Sequence, residues 1–151
     1  MTTDDHTCGL DEHGAARCWG ADALGQSAPP PGPFKAISVT SGWGCGIQAD
    51  DTLSCWGLFP YWGEPPINEP LPPPPEGRFV SVSVGGTQAC ALTAAGEARC
   101  WGHVDANGQL PATPPGPFAS IAASRSSICG VTTAGDVICW GSDASIHPAE
   151  R

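Results

Sequence analysis

Apolar residues come in short runs along this chain, spaced at regular intervals and cut off from one another by glycine and proline. Punctuated runs of this kind predict short strands. The 20 Gly and 17 Pro point the same way, because proline breaks helix interiors and glycine weakens them. The predicted fold class is therefore all-β.

The runs repeat. The tripeptide Cys-Trp-Gly occurs four times, each copy ten residues after another cysteine, giving the pairs Cys8/Cys18, Cys45/Cys55, Cys90/Cys100 and Cys129/Cys139. The first cysteines are 37, 45 and 39 residues apart, a period that suits one β-sheet blade per repeat. The 151 residues read as a single repeat domain with units at approximately 1–39, 40–84, 85–123 and 124–151.

Unit three displays the logic. Cys90-Ala91-Leu92-Thr93 and Glu97-Ala98-Arg99-Cys100 flank Ala94-Ala95-Gly96. A three-residue hairpin loop commonly ends on a residue in the left-handed region, which suits glycine. Thr93 then pairs with Glu97, and Cys90 falls opposite Cys100. The same offset selects Gly14, Asp51 and Gly135, and aspartate is among the few other residues that tolerate left-handed geometry. Opposed residues at a non-hydrogen-bonded site have α-carbons about 4.5 Å apart, which a disulfide spans near the short end of its range. Four intra-hairpin disulfides are predicted, each contributing roughly 2–3 kcal/mol. The alternative is eight free buried cysteines. Zinc fits the ten-residue interval poorly, since its cysteines usually lie two to four apart.

A second module links the hairpins. Proline-rich segments enter short strands with Phe and Ile or Val three apart: Phe34/Ile37, Phe79/Val82 and Phe118/Ile121. Each Trp follows its Cys, so the two side chains point to opposite faces of the strand. Trp19, Trp56, Trp101 and Trp140 are expected to pack between blades.

Charge narrows the function. The net charge is −9 with only six scattered Lys and Arg, which argues against nucleic acid and anionic membranes as partners. No apolar run reaches membrane-span length, and Met1-Thr2-Thr3-Asp4-Asp5 lacks a signal peptide's apolar core. Paired cysteines point to an oxidising location: extracellular, periplasmic or cell-surface.

The hairpin form CxLxxxGxxxCWG, followed by Gly-Gln and then Pro-Gly-Pro-Phe, resembles the regulator of chromosome condensation repeat, in particular its cysteine-containing bacterial version. Unit three matches through Gly86-Thr87-Gln88-Ala89-Cys90-Ala91-Leu92, Gly96, Cys100-Trp101-Gly102 and Asn107-Gly108-Gln109-Leu110, and unit one keeps Gly25-Gln26. The resemblance implies a β-propeller, typically of seven blades, acting by binding protein partners. Four units are too few for that ring. They could pair as two chains, join head to tail into a filament, or close tightly as a monomer; self-association as a homo-oligomer is the favoured expectation.

No catalytic constellation, cofactor motif or metal motif is apparent. His6, His13, His103 and His147 are dispersed, and the acidic group Asp4, Asp5, Asp11, Glu12 lacks calcium-loop spacing. The unusual segment is the insertion Leu58–Pro75, where Phe59, Tyr61, Trp62 and Glu64 form a candidate binding edge on a proline-stiffened loop. The leading expectation is a non-enzymatic exported protein that associates with itself or another protein. The rivals are an inhibitor or receptor-like module using that loop, and an enzyme with a site in a propeller channel.

Overall fold

The computed structural model describes residues 6–61, 67–102, 112–125 and 127–141, with the backbone alone at 59–61 and 67–69. Regular structure among them is entirely β. The strands are β1 (His6–Leu10), β2 (Ala16–Gly20), β3 (Phe34–Val39), β4 (Trp43–Gln48), β5 (Leu53–Gly57), β6 (Phe59–Tyr61), β7 (Ile67–Glu69), β8 (Ser81–Val84), β9 (Gln88–Leu92), β10 (Ala98–Gly102), β11 (Phe118–Ala123), β12 (Ser127–Thr132) and β13 (Val137–Gly141). Three sheets have three antiparallel strands, β3-β4-β5, β8-β9-β10 and β11-β12-β13; β1-β2 forms a two-stranded sheet, and β6-β7 a separate hairpin. Each three-stranded blade thus joins a strand that starts at a Phe (Phe34, Phe118) or two residues after one (Phe79) to the cysteine hairpin that follows it.

The hairpin register is the predicted one. Cys8 pairs with Cys18, Cys45 with Cys55, Cys90 with Cys100 and Cys129 with Cys139. Each pair is a disulfide, with α-carbons 4.0–4.1 Å apart. Gly14, Asp51, Gly96 and Gly135 all have positive φ, from 72° to 94°. In unit three the Thr93 N–H donates to Glu97 O at 3.0 Å and the Gly96 N–H to Thr93 O at 2.9 Å, closing the turn.

The three-residue spacing of Phe and Ile has a backbone cause. A strand of period two would send Phe34 and Ile37 to opposite faces. The pairing skips from Phe34↔Gln48 to Ala36↔Ile47, so a bulge absorbs Lys35 and returns Phe34 and Ile37 to one face. The same skip occurs between Phe118 and Ser120. The aromatic ring then lies over a small residue of the middle strand: a Cβ added to Gly46 or Gly130 would fall 2.5 Å from the Phe34 or Phe118 ring.

The core lies between blades rather than within them. Cys8 of the first sheet clusters with Phe34 and Trp56 of the next. Cys45 and Ile47 cluster with Phe79 and Trp101, and Cys90 and Leu92 with Phe118 and Trp140. Each joint therefore seats a Phe/Trp pair on the preceding blade's disulfide, and the second and third joints also on the aliphatic pair beside it, whereas Leu10 beside the first disulfide stays 36% exposed. The rings of one blade also touch: Phe34–Trp56 centroids are 5.9 Å apart and Phe118–Trp140 5.5 Å. Burying such side chains contributes roughly 1.5–3 kcal/mol apiece.

One expectation fails here. Trp56, Trp101 and Trp140 are each 5% exposed, but Trp19 is 60% exposed. Its strand presents the same aromatic face, and among the described residues no sheet lies against it.

Candidate functional site

The joints define what an exposed end of this stack lacks. At each, the left-handed residue of one hairpin turn offers its carbonyl to the next blade. Phe34 N–H donates to Gly14 O at 2.7 Å, Phe79 N–H to Asp51 O at 2.9 Å, and Phe118 N–H to Gly96 O at 2.9 Å. Serines of the innermost strands add a second contact: Val84 N–H donates to Ser38 Oγ at 3.0 Å and Ala123 N–H to Ser83 Oγ at 2.8 Å. Those serine contacts belong to the second and third joints; the first joint has instead a bond from Trp56 Nε1–H to Gln26 O at 3.0 Å. Gln26 is buried, and its Oε1 accepts Leu24 N–H at 2.7 Å, which folds the Gly25-Gln26 loop beneath the indole.

Among the described residues, unit four carries the same parts without a covering blade. Val131 pairs with Val137 beside the Cys129–Cys139 disulfide, and the two valines are 37% and 47% exposed. The corresponding Ile47/Leu53 and Leu92/Ala98 pairs lie inside the interblade clusters. Cys129 is half-buried where Cys8, Cys45 and Cys90 are at most 1% exposed. A Cβ on Gly14 or Gly96 would strike the next blade at 2.7 or 2.8 Å, whereas one on Gly135 meets nothing within 4 Å. Two apolar faces are thus exposed: an aromatic one around Trp19, and a disulfide-and-valine one around Val137.

The charged groups serve turns. Asp11 accepts the N–H groups of Ala15 and His13 at 2.9 and 3.0 Å, and pairs with Arg17 at 3.3 Å. These hydrogen bonds, Ala15's first, hold its carboxyl below the ordinary 3.8. Asp50 is likewise lowered by the hydroxyl and N–H of Thr52. Asp51, the non-glycine left-handed residue, meets Lys35 of its own blade and Arg78 of the next segment. His13 is exposed in its turn, while His6 is buried in β1. No group of three or more potential metal ligands occurs among the described residues.

The structure brings six of the eight cysteines, those of the first three hairpins, into the interblade clusters, a role that hairpin geometry alone did not assign. In the Leu58–Pro75 insertion it forms a short hairpin where the sequence suggested a loop, with Phe59 opposite Glu69 and Tyr61 opposite Ile67. Trp62 and Glu64 lie outside the described residues, as do Asp4, Asp5, His103 and His147. Trp19 and the Val131/Val137 pair were not singled out as a surface. Their signal lay in the comparison of units, since only a missing neighbour distinguishes them from buried counterparts.

Three-stranded antiparallel blades, each laying an aromatic pair on the blade before it, define a repeat β-propeller architecture. Residues 3–26 match the family model described as the regulator of chromosome condensation (RCC1) repeat. Among solved structures, the CRINKLY WD40 ectodomain of the Arabidopsis thaliana receptor kinase ACR4 is similar at 25% identity and TM-score 0.73, over 99% of this chain and 51% of that one. The ectodomain of the Physcomitrella patens receptor kinase CR4 is similar at 21% identity and TM-score 0.69, over 92% and 39%. Prp20p from Saccharomyces cerevisiae is similar at 18% identity and TM-score 0.68, over 91% and 43%. The chain therefore spans about half, or less, of the length of the propeller proteins it matches. A comparison with curated protein sequences found no match.

Proposed function

We propose that this chain is a non-enzymatic propeller module of an oxidising, extracytoplasmic setting, and that it works by protein association, first of all with itself. The observation that carries the reading is the contrast between Trp19, 60% exposed, and its three counterparts at 5%. An aromatic face built to be covered, with a complementary apolar face at the far end, invites association. The four disulfides support the oxidising setting, as does similarity to receptor ectodomains. Association with proteins is supported by the yeast relative, whose structures are described with Kap60 and with binding to Gsp1p and histones.

Light scattering after size exclusion, without reductant, tests the reading. A mass above the 15.4 kDa of one chain is expected; a monomer at all accessible concentrations overturns self-association.

A second reading puts a different protein partner on the β6-β7 hairpin. It is favoured by one observation: the insertion is a paired element, with Phe59 and Tyr61 at defined register positions. Replacing Phe59, Tyr61 and Trp62 together would abolish capture of such a partner and leave the mass of the assembly unchanged.

A further inference from the structure

We infer that the occupant of both exposed faces is a second copy of this chain, docked head to tail so that Trp19 of each copy seats on the Cys129–Cys139 and Val131/Val137 face of the other, closing a two-chain ring. The inference rests on the self-association reading and specifies its contact.

Three joints within the chain show what each face accepts. A tryptophan that follows the second cysteine of one blade is buried with the disulfide of the blade before it, and at the second and third joints with that blade's aliphatic pair as well. Among the described residues, Trp19 is a tryptophan of this kind without a blade before it, and Val137 and Cys139 belong to a floor without a blade after it. The two surfaces are complementary to each other and not to themselves. A contact between copies is therefore heterologous, and it either closes or propagates.

Curvature favours closure. The chain overlays about half of a larger propeller chain, 51% of its length at TM-score 0.73, so two copies together match the extent of one such chain. A second copy related by a two-fold axis then meets both ends at once. Once the first joint forms, the second is intramolecular and benefits from a high effective concentration, which an open filament end does not.

The test uses the full chain and two variants, Trp19→Glu and Val137→Arg. Both positions are exposed in the single chain, so each variant should keep its circular dichroism spectrum and four protected disulfides. The wild type is expected at about twice 15.4 kDa. Each variant alone should run as a monomer, its dimer weakened at least about tenfold by a charge buried in an apolar contact. An equimolar mixture of the two variants should recover dimer, because one of its joints is wild type and the other pairs opposite charges.

The outcomes separate the two claims. A wild-type dimer that persists in both variants overturns the assigned faces and leaves self-association standing. A mass that keeps growing with concentration overturns the closed ring alone. A monomeric wild type overturns both. Variants that dissociate but fail to complement on mixing overturn the head-to-tail arrangement.

Discussion

The indole Nε1–H of Trp56 donates to the carbonyl of Gln26, thirty residues earlier, at 3.0 Å, and so ties the second blade to the loop leaving the first. Gln26 is 4% exposed, so its carbonyl has little water to replace that donor. Trp56→Phe should cost roughly 1–3 kcal/mol for the orphaned acceptor, and Trp56→Ala about 3–5 kcal/mol. Trp19→Ala, measured at concentrations where the chain is monomeric, should stay within about 0.5 kcal/mol. Urea unfolding followed by tryptophan fluorescence compares the three, and equal losses at Trp19 and Trp56 would contradict the joint described.

The contrast between these two tryptophans also marks how far the sequence could be read. A ten-residue cysteine interval with a glycine at a fixed offset permits one hairpin register, so Cys90 opposite Cys100 and the left-handed Asp51 followed from local rules. The all-β class and the repeating blade followed from punctuation and period. What local rules do not carry is the rotation between blades. The burial of Trp56 but not Trp19, and the reach of Ser38 to Val84, depend on that rotation. The β6-β7 hairpin was hidden for another reason: Pro60, Pro65 and Pro66 mask its strand signal.

Gly96 and Gly135 share a backbone conformation but not surroundings. Alanine at either must accept positive φ, costing about 1–2 kcal/mol. At Gly96 its Cβ would also fall 2.8 Å from Phe118 O, and at Gly135 it meets nothing within 4 Å. Gly96→Ala should therefore destabilise by more than Gly135→Ala in thermal unfolding. Equal effects would mean that the third joint yields freely.

Ser38→Ala leaves the buried Val84 N–H without its acceptor. A loss of about 1–3 kcal/mol is expected. Native-state hydrogen exchange should show Val84 deprotected well before its neighbours in β8. Unchanged protection at Val84 would argue that another acceptor takes over.

Acid should weaken the first hairpin through Asp11. Its carboxyl is held below the ordinary 3.8 chiefly by the Ala15 and His13 N–H groups. A carboxylate lowered on folding contributes stability that is complete above its unfolded value and lost as pH falls through its folded one. The thermal midpoint should therefore drop as pH is taken below about 4. Asp11→Asn should show a shallower drop from a lower starting point. Parallel curves for the two proteins would remove Asp11 from the account.

Reduction should be ordered. In the chain held monomeric by Val137→Arg, Cys129–Cys139 should open first under limiting reductant, because Cys129 is half-buried while Cys8, Cys45 and Cys90 are sealed in joints. Alkylation with peptide mass mapping reads the order. First labelling at Cys45–Cys55 would contradict it.

The joints are interchangeable because each is assembled from the same parts. Phe34, Phe79 and Phe118 each donate a backbone N–H to the left-handed residue of the hairpin before them, and each shares a cluster with that hairpin's disulfide. Removing residues 79–117 would bring Phe118 to the carbonyl of Asp51 and lay Trp140 over Cys45–Cys55, restoring a joint where two had been. Length can thus change by a whole period at little cost to the remaining stack, while a gain or loss of a few residues inside a hairpin breaks every contact that depends on its register. In evolutionary terms the unit of change is the period, not the residue.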